Sequence, residues 1–224
     1  MASDARPYHH GDLPAALLAA VDEVVRERGA AALTLREVAR RAGVSHAAPA
    51  HHFGDKAGLL TAYATEGLAE VATRMAAAGA ERSATGADDR ASALRRLAET
   101  YVAFAVEQPA RFTVMFSSEQ LHTDDARYRA ASASAFEQLY AAVLDLRPDL
   151  TRDDPELLHA ATAAWSTVHG LATLWLAGRL DPTLTTRPPD QATGTVLSAY
   201  GTTLLAAIGV AAPEVDGPPS TGPG

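Results

Sequence analysis

The chain has 224 residues, 47% of them hydrophobic, with a formal net charge of −8 and no cysteine. That composition describes a soluble globular protein able to bury a sizeable core, and it removes disulfides, thiolate chemistry and cysteine zinc sites. No apolar run approaches the ~18–20 residues a bilayer requires, and MASDARPYHHGDLP carries no apolar signal core, so the expected location is cytoplasmic.

The periodicity is helical throughout: alanine is abundant, and apolar residues recur at three and four. Leu13, Leu17, Val21, Val24 and Val25 form the stripe of a first helix, about 12–28, ended by Gly29. Thr34 caps a short second helix, with Glu37 completing a capping box, and Gly43 stops it. Ser45 is the expected N-cap of a third helix, closing by Phe53-Gly54, and Asp55 caps a fourth to about Gly79. A polar linker (81–89) leads to helices at about 89–107 and 110–116, with Gln108-Pro109 between them. After the loop SSEQLHTDD, helices are expected at about 124–146, 155–179 and 190–209, the middle one opened by Asp154 and Pro155. The segment 181–190 reads as a loop, and the Pro/Gly-rich tail from Pro213 as disordered. The fold class is therefore all-α, with about nine helices.

Charge is unevenly spread. Residues 1–60 hold seven Lys/Arg against seven Asp/Glu, plus five of the eight histidines, so the remaining acidic body carries the whole −8. Such a head is compatible with nucleic-acid contact. Within it, Ala39, Gly43 and Val44 have helix-turn-helix spacing: a small residue for close packing, a glycine for the left-handed turn, an apolar wedge. In such units the second helix lies in the major groove and the first crosses the backbone.

The helix-one stripe with RG, then LTLREVARRAGVS, then HF-x-x-K followed by Leu-Leu, resembles the N-terminal domain of TetR-family transcriptional regulators over about residues 9–60. Downstream, WSTVHGLATLWLAG (165–178) and EQPARFTVMF (107–116) resemble the Trp-His-Gly (WHG) subgroup of C-terminal domains in that family. The resemblance implies a three-helix DNA-binding domain (1–58), a ligand-binding and dimerisation domain (59–212) and a disordered tail (213–224). It further implies a homodimer on a palindromic operator of double-stranded DNA, most simply a repressor released by a small effector. No cofactor is implied.

On that resemblance the DNA-binding candidates are Thr34, Arg36, Ser45, His46, Ala47, Ala50, His51 and Lys56. Thr34 and Ser45 put hydroxyls and helix N-termini where phosphates sit, and Lys56, the chain's single lysine, occupies a phosphate-contact position. His46 and Ala47 open the recognition helix, where side chains meet base edges, and His51 lies a turn later. Pro49 is expected at the fourth helical position, costing one backbone bond. Ala50 departs from the pattern, because the family usually carries there a tyrosine near the phosphate backbone. Its loss is expected to cost roughly 1 kcal/mol. A second reading is a small-molecule-binding protein whose DNA head has decayed. His46, His51 and His52 lack the i,i+4 spacing of helical metal ligands, so no metal site is expected there. His9, His10 and Arg6 are assigned to an N-terminal arm. No nucleophile–base pair, carboxylate dyad or phosphate-binding glycine loop points to an enzyme.

In the body, Leu158, Ala161, Trp165, Val168, Ala172 and Trp175 follow one face of the 155–179 helix, and Leu157, Leu171 and Leu174 another. The last helix adds Val196, Leu197, Tyr200, Leu204 and Ile208 to the expected dimer bundle. Candidate effector-lining residues are Tyr101, Phe104, Phe112, Met115 and Phe116, with Phe136, Tyr140, Trp165 and His169. An aromatic lining favours a small apolar or amphipathic effector.

Overall fold

The structure is a computed structural model that describes residues 13–80, 87–189 and 191–196, and every regular element among them is helical. In chain order these are α1 (Leu13–Arg28), α2 (Leu35–Ala42), α3 (Ala48–Phe53), α4 (Lys56–Ala80) and α5 (Ala87–Glu107). They continue with α6 (Pro109–Met115), α7 (Ala126–Leu146), α8 (Pro155–Leu176) and α9 (Pro182–Thr185). Short 3-10 turns fill Ala30–Ala32 and Ser118–Gln120, and residues 191–196 are helical. Expected features at His9, His10 and Arg6, at 81–86, at residues 197–209 and in the tail lie outside the described residues.

Local chemistry accounts for most element ends. Thr34 Oγ1 accepts the Glu37 amide at 3.2 Å, and Gly43 closes α2 in the left-handed region at φ 68°. Asp55 Oδ1 accepts the Gly58 amide at 2.7 Å and so caps α4. Several expectations are corrected. Only half of the capping box forms, because the Glu37 carboxylate is taken by arginines instead of reaching back to Thr34. α3 starts at Ala48, not after Ser45: Ala47 is its N-cap and Ser45 closes a turn through its carbonyl, which accepts the Ala48 amide at 3.0 Å. Pro49 is thus at the second helical position, where its missing N–H has no intrahelical partner to lose. Asp154 precedes α8 but turns its carboxylate back onto the Thr151 amide and hydroxyl (2.6 and 2.9 Å). The expected loop 181–190 contains α9, because Asp181 caps Thr183 ahead of a helix-starting Pro182.

The described helices gather into two compact units. One comprises the chain up to Arg74 together with Phe104–Phe136, the other Met75–Ala103 together with the chain from Glu137. In the first, Leu17, Val21, Val24, Leu33, Val38, Leu59 and Leu60 are fully buried, and Tyr63 donates from inside that core to Asp22 Oδ1 at 2.5 Å. In the second, Leu97, Val143, Leu157, Ala161, Val168 and Ala172 are buried. On α8 the buried stripe mixes the two expected faces, since Leu158 (52% exposed) and Leu174 (47%) point outward while Leu157 and Leu171 turn in. The 100° helical step puts Leu158 beyond the arc that packing covers.

In the first unit α4 and α6 approach closely at Gly67. A Cβ there would lie 2.6 Å from Met115 Sδ and 2.7 Å from Arg111 Cγ. Met115 is fully buried, and Arg111 is held by Glu70 at 3.2 Å and stacked 4.9 Å over the Tyr63 ring, so neither neighbour retreats cheaply. Alanine in place of a helical glycine ordinarily gains up to about 1 kcal/mol, and overpacking costs about 1–3 kcal/mol. Gly67→Ala is therefore expected to lower the unfolding free energy by about 1 kcal/mol in urea titrations; a gain would show that the helices part freely.

Candidate nucleic-acid interface and effector site

α1, α2 and α3 present one polar face built around the Gly43 turn. The Gly43 amide donates to Arg40 O at 3.3 Å and the Val44 amide to Ala39 O at 3.0 Å, so two of α2's last carbonyls are satisfied while the chain reverses. Ala39 and Pro49 are buried beneath the turn, whereas Ser45, His46, Ala47, Ala50, His51 and His52 are exposed. Pro49 thus serves as an apolar wedge, and the candidate reading residues stand on the outward side. The His51 and His52 rings meet edge to face at 5.5 Å. No lysine or arginine lies on this face of α3.

Permanent cations come from α1, α2 and α4. Arg40 is tied to both Glu37 oxygens (2.8 and 2.9 Å), and Arg41 to Glu27, Glu37 and Glu23 at 2.5, 3.0 and 3.5 Å. Arg28 adds a third guanidinium to Glu37 at 2.7 Å. Hydrogen bonds from Arg40 and then Arg41 hold the Glu37 carboxyl far below the usual carboxylate range. Arg36, by contrast, is exposed and makes no ion pair among the described residues. Lys56 is half-buried and donates one ammonium proton to Ala31 O at 2.8 Å, bracing the α1–α2 turn. An ammonium has three donors, so two remain for a phosphate.

The nine candidate effector residues fall into both units. Phe104, Phe112, Met115, Phe116 and Phe136 belong to the first, where the Phe112 and Phe116 rings pack at 5.1 Å and the Arg74 guanidinium lies 5.4 Å over Phe104. Tyr101, Tyr140, Trp165 and His169 belong to the second. There the Trp165 indole N–H donates to the Tyr101 oxygen at 3.3 Å, and Tyr101 pairs with His169 Nδ1 at 2.8 Å. If the phenol donates to Nδ1, the imidazole proton sits on Nε2. Burial raises the Tyr101 phenol above its usual range and pushes His169 below its ordinary value. The second unit also holds a cavity of about 220 Å³, lined by small residues of α4, α5 and α7 (Ala76, Gly79, Ala80, Ala93, Ala141, Ala142) with Leu97, Gln138 and Asp145. None of the nine lines it.

Two family models match: "Bacterial regulatory proteins, tetR family" over residues 17–63, and "Tetracyclin repressor-like, C-terminal domain" over residues 94–200. The "HTH-type transcriptional regulator BetI" of Rhizobium meliloti (strain 1021) is 32% identical over 149 residues, covering 66% of this chain and 71% of that protein. The chain belongs to the TetR family. It is a TetR-family transcriptional regulator. A structure titled a protein with unknown function from Rhodococcus sp. RHA1 superposes with a TM-score of 0.71 at 28% identity, covering 92% of this chain and all of the other. The TetR-family regulator PfmR of Thermus thermophilus shares the fold at a TM-score of 0.61 and 22% identity, covering 85% and 97% of the two chains.

The TetR head thus occupies the part of the chain where Gly43, Val44 and the outward α3 face are found. Among the described residues, no group of three or more His, Asp or Glu is placed to hold a metal ion, and no helix is long and apolar enough to cross a membrane. Sequence reasoning missed the Glu37 hub, which it took for a capping residue. It also missed His122, whose ring meets Asp55 at 3.0 Å. No local signal marks a partner 67 residues away.

The His169 environment has a measurable consequence. In the unfolded chain this imidazole takes a proton near 6.5, whereas burial in the fold holds it neutral to lower pH. Its contribution to stability is therefore complete above pH 6.5 and lost as pH falls through the folded value. Thermal melting between about pH 7.5 and 5.5 is expected to show a steeper loss in the wild type than in His169→Gln, which cannot titrate; parallel curves would reject it.

Proposed function

We propose that this regulator is a ligand-responsive repressor, acting as a homodimer on a palindromic operator through the residue 1–58 head. The observation that carries the reading is the outward surface that follows the left-handed Gly43 turn, where Ser45, His46 and Ala47 ahead of α3, and Ala50 and His51 on it, stand clear of the core. Thr34, Arg36 and Lys56 flank that face with a helix N-terminus and two cations for phosphates. Two such heads reach successive major grooves when their recognition helices are about 34–36 Å apart. An effector in the body acts by binding more tightly to a dimer with another separation, and DNA affinity falls by that differential. The exposed Leu158 and Leu174 on α8 support a helical dimer face there. WHG-subgroup membership belongs to the same proposal.

The effector is proposed to be small and apolar or amphipathic, as the Tyr101–Trp165–His169 cluster supports, with aromatic bodies around a polar centre. The 220 Å³ cavity is smaller than the roughly 300–1,000 Å³ of most small-molecule sites, so a larger effector requires side chains to move.

Ala50 favours a second reading, a decayed head, and the structure offers a direct test because this position is exposed and accepts a larger ring. Under the regulator reading, the purified protein protects a palindrome in DNA selected from random sequence. Ala50→Tyr then tightens binding about fivefold, the equivalent of one hydrogen bond. Under the decay reading, the wild type selects nothing and Ala50→Tyr restores binding from background. Lys56→Gln is expected to reduce the slope of log affinity against log salt by about one while leaving the base preference intact. An unchanged slope would confine Lys56 to bracing Ala31.

A further inference from the structure

The junction between α3 and α4 is tightly built. Gly54 ends α3 at φ 78°, the Asp55 amide donates to Phe53 O at 3.0 Å, and Asp55 Oδ1 accepts the Gly58 amide. There is no spare room, since a Cβ on Gly58 would lie 2.0 Å from Phe53 O. The very next residue after Asp55 is Lys56, the proposed phosphate ligand. Whatever holds Asp55 therefore holds both the end of the recognition helix and the start of α4.

His122 reaches this junction from the loop between α6 and α7, within the same compact unit. It attaches at two points. Its backbone amide donates to Thr61 Oγ1 at 2.8 Å, and its Nε2 lies 3.0 Å from Asp55 Oδ1. Thr61 is only 4% exposed and gives its own proton to Ala57 O at 2.7 Å, so the hydroxyl is fixed as an acceptor for the loop. A carboxylate only accepts, so Nε2 carries the proton and donates to the same oxygen that caps α4. The Asp55 carboxyl is held below its ordinary range first by the Gly58 amide and then by His122. A contact between two exposed side chains would by itself be worth little. The buried Thr61 anchor changes that balance, because the imidazole is delivered to Asp55 with its backbone already ordered.

We propose that His122 is a positioning residue for DNA recognition, acting through Asp55 to hold the α3–α4 junction and Lys56 in their reading geometry. This rests on the DNA-binding reading above.

The test uses the full chain and its variants His122→Ala and His122→Gln, the latter carrying a carboxamide that donates to the same oxygen. Binding to the selected duplex is measured by fluorescence anisotropy, and amide exchange is followed at Gly58 and Leu59. His122→Ala is expected to weaken binding about threefold, within the range of one exposed side-chain hydrogen bond, and to speed exchange at Gly58. His122→Gln is expected to recover both, with all three proteins melting at the same temperature. Wild-type affinity and exchange in His122→Ala would overturn the proposal, as would equal impairment of both variants, which would assign the effect to the ring's bulk. If the wild type selects no DNA, the regulator reading fails on its own. The exchange comparison then still decides whether His122 holds the junction: faster exchange in His122→Ala alone keeps the tether, and unchanged exchange removes it.

Discussion

Arg41 lies between α1 and α2, only 14% exposed at its side chain, with its guanidinium shared among Glu23, Glu27 and Glu37. The geometry of the head follows from that arrangement. A planar fork with five donors ties two helices at several angles at once, which a lysine does not do. The stability of the head comes from burying Leu17, Val21, Val24, Val38 and Ala39. Apolar packing is tolerant of small rotations, however, and directional charged hydrogen bonds are not. The Glu37 hub therefore acts chiefly on the relative setting of α1 and α2.

The same hub decides which charges face outward. Arg28, Arg40 and Arg41 are consumed by carboxylates of the head, whereas Arg36 and Lys56 make no carboxylate pair among the described residues. The recognition face itself is histidine, serine and alanine. A neutral head on a body that carries the whole −8 holds DNA weakly by charge alone. Shape and placement of a few donors then matter more than in a strongly basic reader, so contacts that set the pose, such as Lys56 on Ala31 and His122 on Asp55, carry added weight.

How legible each feature was depended on its range. Gly43, Thr34 and Asp55 announce themselves because their partners lie within a turn: a left-handed residue, an amide three ahead, another amide three ahead. Ser45 misled for the same local reason. A serine before alanines reads as an N-cap, but the buried Pro49 sets the start of α3 later, and Ser45 is left holding a turn by its carbonyl. The faces of α8 were harder. Leu157 and Leu158 are adjacent and equally apolar, and only the neighbours they meet separate the buried one from the exposed one.

The sequence by itself determined the all-helical class, the helix-turn-helix and its left-handed turn, since helix period, caps and glycine conformations are properties of a few consecutive residues. Tertiary structure alone decided which arginines are spent on Glu37, how the aromatic candidates divide between two compact units, and that His122 meets Asp55. Those outcomes join residues up to 68 positions apart, and hydrogen bonds are directional contacts of about 3 Å. No periodicity along the chain encodes a distance of that kind.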